Sequence, residues 1–308
     1  MLREMQAMTI EAVRTPDARF KNLPDWPYAP NYVDDLAGYE GLRAHYVDAG
    51  PAGAERTFLC LHGEPSWAYL YRHMIPHFTT SGARVIAPDL YGFGRSDKPV
   101  KDEDYTFHFH RNFLLRLIER LDLTNITLVC QDWGGLLGLT LPVDMPDRFS
   151  RLIVMNTAIA VGIGAGKGFN EWRDYVKNTP DLPVGGLMKR STPHLSEAEV
   201  AAYEAPFPDP TFKAGAREFP QLVMTNPDME GVGTSKRAAK FWAEDWTGDS
   251  FMAIGMKDPV LGPPAMHMLA GLIKGCPKPL EVADAGHFVQ EWGNEIAPAA
   301  LKHFGDID

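Results

Sequence analysis

Basic residues are in short supply: 30 Lys and Arg stand against 40 Asp and Glu, a formal charge of −10 over 308 residues. No stretch gathers the cations into a basic stripe, which argues against a nucleic-acid partner and makes neutral or weakly polar ligands the natural ones. Cysteine is scarcer still. Cys60, Cys130 and Cys276 are too few and too scattered for a disulfide framework or a zinc site, and they suit a reducing compartment. Long apolar runs are absent too: nothing approaches the roughly 18 uninterrupted apolar residues of a membrane span. The first eight residues carry charges where a signal peptide needs its apolar region, and Met8 is an alternative start. A soluble, cytoplasmic monomer with no membrane partner is the expectation.

What is present is an ordinary globular composition, 45% hydrophobic and 23% charged, in a chain long enough for one large α/β domain with or without an insertion. Residues 13–40, punctuated by Pro16, Pro24, Pro27 and Pro30, read as an extended segment over the surface. Strand patterns follow at residues 43–47, 57–61, 84–87, 126–130 and 152–155. Helical patterns lie between them at residues 68–78, 107–121 and 134–142. The steady alternation predicts a mostly parallel central sheet with helices on both faces. The rhythm breaks after Thr157, and residues 158–230 show helical pieces (170–177 and 196–204) but no strand pattern. Alternation resumes with a helix at 235–242, a strand at 250–255, a helix at 264–273, a short strand at 280–283 and a final helix at 289–304. The division expected is a core of residues 1–157 and 231–308 interrupted by a helical cap of residues 158–230. Such a cap, inserted at the carboxyl ends of the strands, roofs the edge where ligands of open α/β sheets bind.

The chemistry centres on Cys130-Gln131-Asp132-Trp133-Gly134, where a β-branched run stops and a Gly-dotted helix begins at once. Small-x-nucleophile-x-small is the pattern of the nucleophile elbow, with a carboxylate in the place often held by serine. Leu61-His62-Gly63-Glu64-Pro65 follows an earlier buried strand, so the backbone N–H groups of Glu64 and Trp133 are the expected oxyanion hole. His287, in Asp284-Ala285-Gly286-His287-Phe288, sits in a loop at the last strand's end and arrives last in the chain, where the general base of an elbow enzyme belongs. Asp258, leaving the strand at 250–255, is the acid to orient it, since Asn156 occupies the competing position after the preceding core strand. A phosphate-loop look-alike at residues 162–168 lacks Ser or Thr after Lys167 and has Val161 in place of the first glycine. No long amphipathic helix is expected directly after it, and it reads as a hinge into the insertion.

With these pieces in place the chain resembles the haloalkane dehalogenases of the α/β-hydrolase fold, in the subfamily whose acid follows the later strand. The likeness runs through His62-Gly63-Glu64-Pro65-Ser66-Trp67, Ala87-Pro88-Asp89 onward to Asp97, Gln131-Asp132-Trp133-Gly134-Gly135, Met256-Lys257-Asp258 and Gly286-His287-Phe288, and spans nearly the whole chain. The resemblance implies that Asp132 attacks an sp³ carbon, expels halide and forms an alkyl ester, which water activated by His287 and Asp258 then cleaves to a primary alcohol, halide and a proton. It implies two indole donors for the halide, Trp133 and, from Gly168-Phe169-Asn170-Glu171-Trp172, Trp172. It further implies an apolar pocket of Leu136, Phe169, Phe219, Pro220, Val223, Val260 and Leu261, a small halogenated alkane as substrate, and no cofactor or metal. Two alternatives stand beside it: an epoxide hydrolase of the same fold, for which Tyr175 and Tyr203 would be the cap acids, and a non-catalytic small-molecule receptor.

Overall fold

The computed structural model describes residues 10–308; the Met8 start lies outside them. Eight strands form one sheet: β1 (Asn31–Val33), β2 (Ala44–Ala49), β3 (Thr57–Leu61), β4 (Arg84–Pro88), β5 (Ile126–Cys130), β6 (Phe149–Met155), β7 (Asp249–Gly255) and β8 (Leu280–Val282). Their order across the sheet is β1-β2-β4-β3-β5-β6-β7-β8. β2 runs antiparallel to both β1 and β4, and every other neighbouring pair is parallel. β3 and β5 are buried along their whole length, as the continuous apolar sequence of a strand covered on both faces requires. Each Leu, Ile, Val or Phe so buried is worth about 1.5–3 kcal/mol against exposure.

Helices α1 (Ile75–Thr80), α2 (Phe107–Arg120), α3 (Trp133–Gly138), α8 (Val232–Lys240), α9 (Pro263–Leu272) and α10 (Gly293–His303) accompany the sheet. Between β6 and α8 lie only helical elements and loops, with α4 (Lys167–Lys177), α5 (Val184–Ser191), α6 (Glu197–Glu204) and α7 (Ala214–Leu222) as the α-helices. No helix among the described residues is long and apolar enough to cross a membrane.

Three expectations need correction. The helix read at 68–78 is a 3₁₀ turn at Ala68–Tyr71 and a separate α1, because Pro76 near the start of α1 has no N–H to continue a helix from residue 72. Residues 13–40 are anchored and not merely draped: they contribute β1 and bury Phe20, Val33, Leu36 and Tyr39. The prolines exclude an α-helix there, but not the 3₁₀ turn Asp17–Phe20 or an edge strand. An amphipathic helix does follow the glycine-rich stretch directly, since α4 begins at Lys167 with Gly166 as its N-cap. Lys167 is spent on a surface ion pair with Glu171 one turn on, at 3.5 Å.

Candidate active site

The strand order diverges at β3, whose neighbours are β4 on one side and β5 on the other. Ligands of open α/β sheets bind in the crevice at such a switch point, beyond the strands' carboxyl ends. Register sets the rest: Leu61 pairs with Cys130, so the segments leaving β3 and β5 emerge side by side. Asp132, in the turn after β5, has φ 50° and ψ −125°. That region is unfavourable for a residue with a Cβ, and strain of this kind persists only where the surroundings enforce it. Here they do. Gly134 passes so close to the Leu61 carbonyl that any side chain would collide with backbone, and Gly63 stands in the same relation to the Asp132 carboxylate.

The two oxygens of Asp132 are inequivalent. Oδ1 accepts the Glu64 backbone N–H at 2.8 Å, while Oδ2 faces Nε2 of His287 at 3.6 Å. The Trp133 backbone N–H, the second expected donor, makes no hydrogen bond with either oxygen in this arrangement. Nδ1 of His287 donates to Asp258 Oδ2 at 2.8 Å. The loops carrying this pair are themselves locked together: Met256 N–H donates to the Val282 carbonyl at 3.2 Å and Lys257 N–H to the Ala285 carbonyl at 2.9 Å. Asp132 and His287 keep some access, at 16% and 20% side-chain exposure, whereas Asp258 is sealed at 1%.

The charges follow from this environment. Burial alone would push the Asp258 carboxyl up, but the His287 ring, the Asn156 amide and the Val260 N–H hold it well below the usual range. Burial likewise favours a neutral His287, and the Asp258 and Asp132 carboxylates outweigh it, drawing the imidazole well above its ordinary value. The Glu64 carboxyl is forced the other way. Burial first, then the Asp132 charge, raises it well above its ordinary value.

Several supporting residues were not legible in the motifs. Asn156, read only as the absence of an acid, donates to Asp258 Oδ2 at 3.0 Å and exchanges bonds with Gly255, accepting its N–H at 2.8 Å. Val260 and Leu261, expected to line the pocket, give their backbone N–H groups to Asp258 Oδ1 at 2.9 and 3.1 Å, and the Val260 side chain is exposed. His62 fixes the oxyanion loop: its Nδ1 donates to the Gly63 carbonyl at 2.9 Å while Nε2 accepts the Leu90 N–H at 3.0 Å. Gln131, silent in the sequence, places its amide against His287.

The apolar side is partly assembled. The Phe219 ring lies 4.7 Å from that of Trp133, with Leu136 and Pro220 buried near them in sequence. Phe169, Val223 and Leu261 are half-buried. Trp172 on α4 is half-buried with its ring 5.9 Å from Tyr175. Tyr203 is not free to protonate an epoxide at this centre, being buried with its hydroxyl on Glu291 and Arg72, and Tyr175 is 41% exposed.

Known proteins share this geometry's sequence and fold. The sequence model of the α/β-hydrolase fold matches residues 56–294. A haloalkane dehalogenase of Psychrobacter cryohalolentis is 45% identical over 304 residues, covering 96% of this chain and 99% of that one. Haloalkane dehalogenase 1 of Mycobacterium tuberculosis is 43% identical over 296 residues, 95% of this chain and 98% of its own length. The solved structure of a tetrameric haloalkane dehalogenase from Paraglaciecola agarilytica superposes with a TM-score of 0.95 at 55% identity, covering 97% of this chain and all of that one.

Proposed function

The chain belongs to the haloalkane dehalogenases of the α/β-hydrolase fold, hydrolases of carbon–halogen bonds, and we propose that Asp132, His287 and Asp258 carry that reaction here in two steps. In the first, Asp132 Oδ2 attacks an sp³ carbon from the side opposite the halogen. A carbon–oxygen bond forms, the carbon–halogen bond breaks, and the halide leaves with the electron pair. A bare anion in an apolar pocket is strongly disfavoured, and the indole N–H groups of Trp133 and Trp172 are the donors proposed to receive it. In the second step water adds to Cγ of Asp132 while its proton passes to His287 Nε2. The ester carbonyl is then Oδ1, the oxygen already on the Glu64 N–H, so the developing oxyanion is met by a donor that needs no rearrangement. Collapse expels the alkoxide, which takes the proton of the added hydroxyl, and His287 returns its own proton to solvent.

Electrostatics orders the steps. Alkylation removes the negative charge of Asp132, one of the two charges that raise His287. The imidazole therefore becomes easier to keep neutral at the stage when it must act as a base. The observation that carries the reading is the carboxylate itself, standing at positive φ on the elbow between an oxyanion donor and a histidine. A serine there would form an ether, which water does not readily cleave.

The pocket is proposed to comprise Leu136, Phe169, Phe219, Pro220, Val223 and Leu261, with residues 158–230 as the cap over a core of residues 1–157 and 231–308. Its setting is proposed as the cytoplasm, in keeping with three unpaired cysteines. A monomer is the state proposed from the sequence, and light scattering sets it against the tetramer of the Paraglaciecola relative. Incubation with 1-bromobutane or 1,2-dibromoethane releases bromide without added metal or cofactor, and styrene oxide gives no diol. Diol without halide would overturn the assignment.

A further inference from the structure

Gln131 is fully buried beside the nucleophile, and its side chain has one orientation that its neighbours permit. The Tyr71 hydroxyl donates to the Leu61 carbonyl at 2.7 Å, which leaves its oxygen as an acceptor. The Gln290 amide supplies the donor, at 3.4 Å from the Tyr71 oxygen, and the same nitrogen lies 3.3 Å from Gln131 Oε1. Gln131 therefore turns its oxygen toward Gln290 and its NH₂ toward His287. There the nitrogen is 3.1 Å from the His287 carbonyl oxygen and 3.1 Å from His287 Nε2. A flipped amide would set oxygen against that carbonyl, so the carbonyl enforces the choice.

The geometry points to Gln131 as a positioning residue whose N–H donates to the unprotonated Nε2 of His287 and holds the base in the form that can take a proton from water. In the neutral ring, the state that acts as base, Nδ1 donates to Asp258, and that tautomer leaves Nε2 as the acceptor. The two hydrogens of the Gln131 amide then have two acceptors on one residue, one on its backbone and one on its ring. Water bound for the ester displaces only the ring contact, because the backbone contact and Gln290 keep the amide in place. Once Nε2 carries the proton it faces an N–H, and that contact becomes repulsive. Gln131 thus opposes protonation of His287, while the groups that face the ring from the other elements act on it as charges or acids: Asp258 after β7, Asp132 after β5 and Glu64 after β3.

This inference rests on the two-step reading and deepens its second step, so the test separates the two. With 1,2-dibromoethane, the bromide burst reports alkylation, and the decay of the alkyl-enzyme, followed by rapid quench and intact mass, reports hydrolysis. Gln131→Met keeps the shape and loses the donor; Gln131→Glu replaces the donor by a carboxyl group. The acid-side midpoint of the hydrolysis rate is expected to rise by about half to one pH unit in Gln131→Met, the size expected of one neutral hydrogen bond, and further in Gln131→Glu. Midpoints within about 0.2 units of the parent in both variants would overturn the role. If the variants do not fold, the parent protein still decides: labelled with ¹⁵N and observed above the His287 titration, it shows a coupling across the hydrogen bond between Gln131 Nε2 and His287 Nε2, and its absence overturns the proposal. An unmodified parent enzyme with no bromide burst would instead sink the two-step reading itself.

Discussion

Three buried indoles in this protein find acceptors. Trp67 donates to the Ala202 carbonyl at 3.2 Å, Trp242 to the Leu139 carbonyl at 2.7 Å and Trp246 to Ser250 Oγ at 3.0 Å. Trp133 is as deeply buried, at 2% exposure, yet neither it nor Trp172 donates to an acceptor among the described residues. Those two N–H groups are therefore the donors left open to an arriving halide. Replacing Trp133 by Phe is therefore expected to slow the bromide burst about 10²-fold, the usual effect of deleting one preorganised donor. Trp172→Phe should act in the same direction, and titration with sodium bromide should show weaker binding in both. Bromide affinity unchanged in Trp172→Phe would remove that residue from the halide site. At this scale legibility was uneven. Asp132, His287 and Asp258 could be read because each is marked by a short local pattern at a strand end. Gln131 and Asn156 could not, because what they do depends on partners 156 and 102 residues away along the chain.

Helix α6 meets the elements around the sheet at a buried cation. Arg72, just after the 3₁₀ turn Ala68–Tyr71, grips Glu291 with Nη1 and Nη2 at 2.6 and 2.7 Å, reaches Glu199 on α6 at 2.7 Å, and donates to the Tyr203 hydroxyl at 3.1 Å. Arg72 and Glu291 are wholly enclosed. Deleting the cation strands a buried carboxylate, so Arg72→Leu is expected to lower stability by about 3–5 kcal/mol, read as an earlier urea midpoint. A loss below about 1 kcal/mol would mean that the pair is not closed in solution. Glu199 adds a pH signature. Burial opposes its ionisation, but the Ser196 N–H and hydroxyl and the Arg72 guanidinium prevail and bring it from 4.5 down to about 2. A depressed carboxyl stabilises the fold above its unfolded value and ceases to do so as pH falls through its folded value. Between pH 4.5 and about 2, the parent should accordingly lose more stability than Glu199→Gln. The elements that build this junction were only half visible in sequence. α6 matches the helical piece read at 196–204, and the structure adds a capping box formed by Ser196 and Glu199. α5 carries Gly185 and Gly186 in its first turns and α7 has Pro220 within it, and both residue types weaken a helical signal that tertiary packing restores.

For the molecule as a whole, the alternation of strands and helices was the most durable signal, because burying a sheet on both faces demands it over the full length of the chain. Net charge is the other property that belongs to no single element, and it bears on substrate and product differently. A haloalkane is neutral, so the field of a chain with formal charge −10 neither draws it in nor repels it. The halide product is an anion that the same field expels. Screening weakens that field over about 10 Å at 0.1 M salt, so the two should separate when ionic strength is varied with sodium sulfate. kcat/KM for 1-bromobutane is expected to change by less than about twofold from ~0.02 to ~0.3 M ionic strength. The inhibition constant for bromide should fall over the same range, because screening lets the anion approach an acidic protein more easily. A kcat/KM that rises or falls steeply with salt would instead imply a charged substrate, and with it a pocket unlike the apolar one around Trp133 and Phe219.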